Sequence, residues 1–362
     1  MEVCIRESRL RNVGLPPGEI EAGKNFSGPA VTRLRVLGYG PDGCFELDTT
    51  KIDEALARIG EKAVTWIQII GIRQVSVIKE IGERLSIHPL ALADVAQTWG
   101  RAKLQDYNKQ LFVVGNAAVL DRPAKHINIE QVSIVMGSNY LVTFQETESA
   151  LFEPVESRIQ DPQRFIRKRD TGYLLYALLD MLVDHLQASI DAVDEEVIAM
   201  EDSMLNSRQS LKLEEIYRHK RSVILLSRLA SPMQEVAKRI EMIDNELVPD
   251  SLDYYFRDLH EHAVRAGDRV DHARSLLQNL QEYYHIEGDH RNNDVMRMLS
   301  VVATIFIPMS FVTGVYGMNF NTADGPYSMP ELNNPYGYPI CLAVLACYAL
   351  FMYRYFKRKK WL

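Results

Sequence analysis

The sequence predicts an α+β chain that ends in a membrane: an N-terminal α/β domain, a long helical stalk and two C-terminal transmembrane helices. Three observations predict it. Short β-branched runs with period-two alternation fill the chain up to about residue 165 and then stop. Helical spacing takes over at Thr171 and runs on, with few breaks, to Pro308. Two apolar runs, residues 299–316 and 339–356, then close the chain ahead of a basic tail, Lys357-Arg358-Lys359-Lys360-Trp361-Leu362.

Residues 1–30 contain Pro16-Pro17-Gly18 and little periodicity, and read as a tail or an edge strand. Val31-Thr32-Arg33-Leu34-Arg35-Val36-Leu37 alternates apolar and polar residues, as a half-buried strand does. Further β-rich runs are 64–70, 111–114, 132–136 and 140–144. The last two flank Gly137-Ser138-Asn139, a hairpin turn. Residues 51–60 and 75–85 have helical spacing, and Pro89 stands early in a helix that starts after His88. His88 itself is a turn or capping residue before it is a metal ligand. Residues 1–165 are therefore one α/β domain with a mixed sheet whose strand order is not legible. Glycine-rich phosphate loops, GxSxG elbows and HExxH are absent, so no enzymatic constellation is present.

Composition narrows the partners. A net charge of −7 over 362 residues argues against a nucleic-acid binder, because the basic residues that cluster lie beside an apolar helix at the C-terminus. Cys4, Cys44, Cys341 and Cys347 form no CxxC pair and predict neither a zinc site nor a disulfide framework. The N-terminus is charged and has no secretory signal, which places the body in the cytoplasm.

Residues 166–248 read as antiparallel long helices. Tyr173, Leu174, Tyr176, Ala177, Leu178, Met181, Leu182, Leu186, Ile190, Val193 and Val197 recur at three-to-four spacing, and the helix they mark reaches about Leu205. A second runs from Leu213 to about Ile243, with Ser231-Pro232 as a kink point. The first carries Asp191, Asp194, Glu195, Glu196, Glu201 and Asp202; the second carries Arg218, His219, Lys220 and Arg221. These are either complementary solvated faces or a surface that collects cations. Residues 249–316 form the stalk, with Asp250 or Ser251 as N-cap. A helix unbroken over residues 252–316 is on the order of 100 Å long. Such a helix bridges two environments or supercoils with its copies.

The stalk becomes the first membrane span at about residue 297. Each apolar run is 18 residues long, within the range that crosses a hydrocarbon core. Arg291, Arg297 and the basic tail at 357–362 lie to one side, whereas the loop at 317–338 has no Lys or Arg and carries Asp324 and Glu331. The positive-inside rule puts both termini in the cytoplasm and the loop outside. Two spans enclose no aqueous path, so a pore requires a symmetric oligomer. Asn293, Met296, Ser300, Ala303, Ile307, Ser310, Gly314 and Gly317 follow a 3.5-residue period and are mostly small or polar. This seam is either a close helix–helix contact or a pore lining, with Ile307 and Met296 or Leu299 as constrictions. Pro308 leaves the Thr304 carbonyl without its helical amide, to be met by the pore or by a side chain.

Tyr316-Gly317-Met318-Asn319-Phe320 at the end of the first span resembles the signature of the CorA family of magnesium transport proteins. Ala303-Thr304-Ile305-Phe306, Met329-Pro330-Glu331-Leu332, Tyr338-Pro339 and the Lys359-Lys360-Trp361-Leu362 end resemble it too, and the architecture matches over the whole chain. The resemblance implies a homopentameric funnel in the inner or plasma membrane that takes up Mg²⁺, and also Co²⁺ and Ni²⁺. It implies that Gly317, Met318 and Asn319 form the outer mouth, with Asn319 as the selectivity ring. Asp324 and Glu331 would enrich cations at the entrance. It further implies a pore line through Gly314, Ser310, Ile307, Leu299, Met296 and Asn293, an acidic ring at Glu282, and regulatory Mg²⁺ held between protomers by Asp94 and Asp258. Ala93 departs from the pattern, since the family often has a second acid there. Asp94 and Asp258 are otherwise capping or salt-bridging residues. The alternatives are a zinc-transporting relative, disfavoured by Met318 between Gly317 and Asn319, and a membrane-anchored scaffold.

Overall fold

The computed structural model describes residues 31–97, 100–121, 126–206, 212–318 and 334–361, together with Pro29 and Met329. They divide into two compact units, residues 1–279 and 280–362.

The first unit is built on a seven-stranded sheet: β1 (Arg33–Gly40), β2 (Gly43–Thr49), β3 (Val64–Ile70), β4 (Lys103–Asp106), β5 (Leu111–Asp121), β6 (His126–Met136) and β7 (Tyr140–Gln145). Their order is β2-β1-β3-β7-β6-β5-β4. The β3–β7 pair is parallel and every other pair is antiparallel, so the sheet is mixed, as expected. The hairpin across Gly137-Ser138-Asn139 pairs Met136 with Leu141. Two strands escaped the sequence pattern. In β2 the inward residues are only half-buried, and β4 is 4 residues long. Neither shows the apolar run that marks a strand.

Alternation along the strands builds two cores. On one face Leu37, Tyr39, Val64, Trp66, Leu111 and Val113 meet the long helices. On the other, Leu34, Val36, Ile67, Ile69, Phe112 and Val114 meet three short helices, α1 (Ile52–Leu56), α2 (Val75–Arg84) and α3 (Pro89–Ala96). The interior strand β3 is buried at all 7 positions. Its one long polar side chain, Gln68, donates to Glu156 at 2.7 Å from inside the first core. Glu156 lies on α4 (Glu153–Gln160) and also receives Arg35, at 2.7 Å. His88 is the N-cap of α3: its Nδ1 accepts the Leu90 amide at 3.2 Å, and its ring stacks on Tyr107.

Three long helices cover the first face beside α4. Helix α5 (Thr171–Asn206, 36 residues) and α6 (Leu213–Glu241, 29 residues) bury Leu174, Leu178, Leu182, Val236 and Ile240 against the sheet. Helix α6 continues through Pro232, which is buried within it. Helix α7 (Asp253–Tyr316) contributes Phe256, Leu259 and Ala263 to the same core. It is preceded by a 3-10 turn over Asp250–Leu252, where the sequence pattern expects an N-cap. The tighter turn itself engages the amides that a capping side chain would otherwise serve. Helices α6 and α7 approach closely at Gly267, where a Cβ would lie 1.8 Å from Gln234 Nε2. That space lets Gln234 donate to the Ala263 carbonyl at 3.1 Å.

The second unit holds the end of α7 and α8 (Gly337–Arg358, 22 residues). Helix α7 is 64 residues long and unbroken at Pro308, as the sequence leads one to expect. It and α8 are both long and apolar enough to cross a membrane. Their apolar surface lies open on several sides: Met296, Leu299, Phe306, Ile307, Phe311, Ile340, Val344 and Phe351 are each more than half exposed. Leu280, Val301, Leu345 and Phe356 are the buried hydrophobic residues of this unit among those described.

Candidate functional site: a membrane seam and a cytoplasmic acidic cluster

The seam of small and polar residues lies on an intact helix. Asn293, Met296, Leu299, Ser300, Ile307, Ser310 and Gly314 are all exposed in the single chain, and Ala303 is half-buried. A Cβ placed on Gly314 would meet nothing within 4 Å. The space beside this glycine is therefore not occupied by α8. Thr304 and Thr313 donate their hydroxyl protons back to the Ser300 and Ser310 carbonyls, at 2.7 and 3.1 Å. The helix ends where the signature begins. The Gly317 amide is shared between the Thr313 and Gly314 carbonyls at 3.0 and 3.2 Å, and the Met318 amide donates to Val315 at 3.2 Å. Glu282, further down α7, is exposed. Asn319, Asp324 and Glu331 lie outside the described residues.

Of the two cytoplasmic carboxylates, Asp94 sits on α3, ion-paired with Lys103 of β4, and its backbone carbonyl accepts from Gln131 at 3.2 Å. Asp258 sits on the first turns of α7, 3.5 Å from His262. Glu241, at the end of α6, holds the nearby His260 at 2.6 Å and Arg257 at 3.7 Å. Within one chain, Asp94 and Asp258 share no ionic or hydrogen-bond partner among the described residues. Ala93 is half-buried and packs against the second core.

The structure adds a cluster that sequence reasoning missed. Asp180 and Asp184 stand one helical turn apart on α5 and face His262 of α7, and their ligand atoms lie within 4.8 Å of one another. Asp180 Oδ1 is 3.9 Å from His262 Nδ1, and both atoms are buried without a hydrogen-bond partner. Burial, and then the Asp184 charge, push the Asp180 carboxyl up to about 6. Burial, followed by Asp180 and Asp258, also pushes the Tyr176 phenol up. Three carboxylates thus gather around a single imidazole. Rich in carboxylate oxygens, the set suits a hard divalent cation. The available signal was the pair of i, i+4 spacings, 180/184 and 258/262, whose helices had no legible contact.

Farther along α5 the charges are matched. Asp191 pairs with Arg269, Asp194 lies 3.5 Å from His272, and Glu196 lies 3.5 Å from His219. Complementary faces therefore describe this stretch, with α7 supplying Arg269 and His272 and α6 supplying His219.

Asp180 carries a pH dependence. In the unfolded chain an aspartate loses its proton near 4, whereas in the fold it keeps it up to about 6. The folded state binds more protons in that window, so stability falls as pH rises from about 4 to about 6 and is flat above. Asp180→Asn is expected to raise the melting temperature of metal-free protein at pH 7.5 by about 2 °C, and to flatten that slope. Thermal melts across pH 4–8 check it.

Comparison with known proteins places the chain. Residues 61–358 match the family described as CorA-like Mg²⁺ transporter protein. The chain belongs to the CorA family. It is 32% identical to the cobalt/magnesium transport protein CorA of Thermotoga maritima over 99% of this chain and 100% of that one. In structure it is similar to the CorA magnesium transporter of Methanocaldococcus jannaschii, with a TM-score of 0.76 at 16% identity, covering 91% of this chain and 98% of that one. It is also similar to the full-length CmaX protein, with a TM-score of 0.73 at 17% identity, covering 92% and 100%. The sheet, the long helices and the two apolar C-terminal helices are thus the CorA fold. As a member of this family the chain is a membrane transporter of the CorA-like Mg²⁺ class, and not an enzyme.

Proposed function

We propose that this CorA-family chain assembles as a homopentamer in the inner or plasma membrane and admits Mg²⁺, with Co²⁺ and Ni²⁺ as further cargo, through an axial pore lined by α7. The observation that carries this is the open apolar and small-residue surface of the two membrane helices. A two-helix hairpin cannot cover it, and lipid on one side with neighbouring copies on the other can. The distribution of Lys and Arg supports cytoplasmic termini and an outer loop at 317–338.

In this reading Asn319, with Met318 and Gly317, forms the outer ring, and Asp324 and Glu331 raise the cation concentration in front of it. Mg²⁺ sheds its water reluctantly. Neutral amide oxygens accept hydrogen bonds from those waters without stripping them, whereas a ring of carboxylates would retain the ion. Below the mouth, Gly314 and Ser310 keep the path narrow and polar. Ile307, Leu299 and Met296 constrict it, and Asn293 and Glu282 line its cytoplasmic end.

Cytosolic Mg²⁺ closes the path. It binds between Asp94 of one protomer and Asp258 of the next, with Asp180, Asp184 and His262 beside Asp258 as further ligands. These carboxylates repel each other unless a cation lies among them. Loss of the ion loosens the contact, and α7 transmits that change because one helix contains both Asp258 and the seam.

The test is Mg²⁺ entry into liposomes reconstituted with the wild type and with Asn319→Ala. Wild-type protein carries Mg²⁺, and the substitution lowers entry about tenfold or more through the lost ring of amide oxygens. Wild-type liposomes that stay empty would sink the transporter reading.

A further inference from the structure

Pro308 removes one amide from α7, and the carbonyl it strands is that of Thr304. In a hydrocarbon environment an unmet carbonyl is costly, and helices that tolerate proline find it another donor. Here the donor comes from the other apolar helix: the Tyr348 hydroxyl of α8 donates to the Thr304 carbonyl at 2.8 Å. The Thr304 hydroxyl is not available, because it donates to Ser300. The two partners sit at equal depth. Thr304 lies 12 residues before the end of α7 at Tyr316 (316 − 304), and Tyr348 lies 11 after the start of α8 at Gly337 (348 − 337). Each is therefore about 17 Å from the same edge of the span. Val301 and Leu345, the buried residues nearest this bond in sequence, lie one turn away on either helix.

We propose that Tyr348 is a positioning residue: its hydroxyl replaces the amide missing at Pro308 and holds α7 against α8 beside the Ile307 constriction. The bond stands on the geometry above, and its consequence for ion flow rests on the pore reading. With Tyr348 in place, the stranded carbonyl is turned toward α8 and needs no water. Without the hydroxyl, water entering along the seam is the remaining donor. A wetted seam next to Ile307 weakens a hydrophobic block. The loss therefore produces leak when cytosolic Mg²⁺ should hold the path closed.

A double-mutant cycle tests this with Tyr348→Phe, Pro308→Ala and the pair. Tyr348→Phe removes one oxygen and keeps the ring. Pro308→Ala restores the amide that makes the hydroxyl redundant. Two readouts are taken: the melting temperature of the purified protein, and Mg²⁺ entry into liposomes loaded with inhibitory Mg²⁺. In the wild-type background Tyr348→Phe is expected to lower the melting temperature by about 2–4 °C and to raise residual entry about fivefold. In the Pro308→Ala background it should change neither. A side chain that only packs would give equal effects in both backgrounds, and that result, or no effect in either, overturns the proposal. If wild-type liposomes carry no Mg²⁺ at all, the pore reading fails, and the melting cycle alone decides the role of Tyr348.

Discussion

Gly314→Leu abolishes Mg²⁺ entry while leaving the single chain able to fold. The expectation follows from an empty space. A Cβ at Gly314 meets nothing within 4 Å, so α8 does not require a glycine there. A leucine on one chain costs little in packing. Around an axis of copies the same substitution places several branched side chains at one level of the seam, above Ile307. A path already narrow at this level closes, and entry falls about 100-fold or more. Two measurements check this together: flux in liposomes, and the melting temperature of the purified protein, which should move by less than about 2 °C. Retained flux would mean that the seam faces lipid or α8 and that the path runs elsewhere.

Asp258→Ala keeps the protein conducting at cytosolic Mg²⁺ concentrations that silence the wild type. The residue is half-exposed and lies 3.5 Å from His262. Removing it deletes one carboxylate from the group formed with Asp180 and Asp184, and the only one of the three carried by α7. A divalent ion held by few carboxylates loses about tenfold in affinity with one of them, equivalent to about 1.4 kcal/mol. The half-inhibitory Mg²⁺ concentration should rise by at least that factor, read as flux against internal Mg²⁺. Equal inhibition of both proteins would remove Asp258 from the regulatory site. Asp94 is predicted to respond less sharply, because Lys103 already neutralises part of its charge.

What was legible in the sequence was local. The β-branched runs at 64–70 and 132–144 became strands, and His88 became a cap because Pro89 follows it. The apolar run at 299–316 became the end of one long helix. Periodicity reports such features because each depends on neighbours within a turn or a hairpin. Strands β2 and β4 stayed hidden because their burial comes from partners and not from their own composition. The acidic helix α5 was read as meeting the basic stretch of α6. Asp191 and Asp194 instead meet α7, since Arg269 and His272 come opposite them only after the helices pack.

By itself the sequence determined the membrane runs, the seam from Asn293 to Gly317, the stranded carbonyl at Thr304 and the family signature around Met318. These are properties of spacing along one helix, and a single chain carries them. Tertiary structure decided which groups answer one another. It brought Asp180 and Asp184 to His262, and it set Tyr348 against Thr304, 44 positions away. Charge and hydrogen-bond complementarity between distant segments depends on how helices pack side by side, and side-by-side packing leaves no period in the sequence to read.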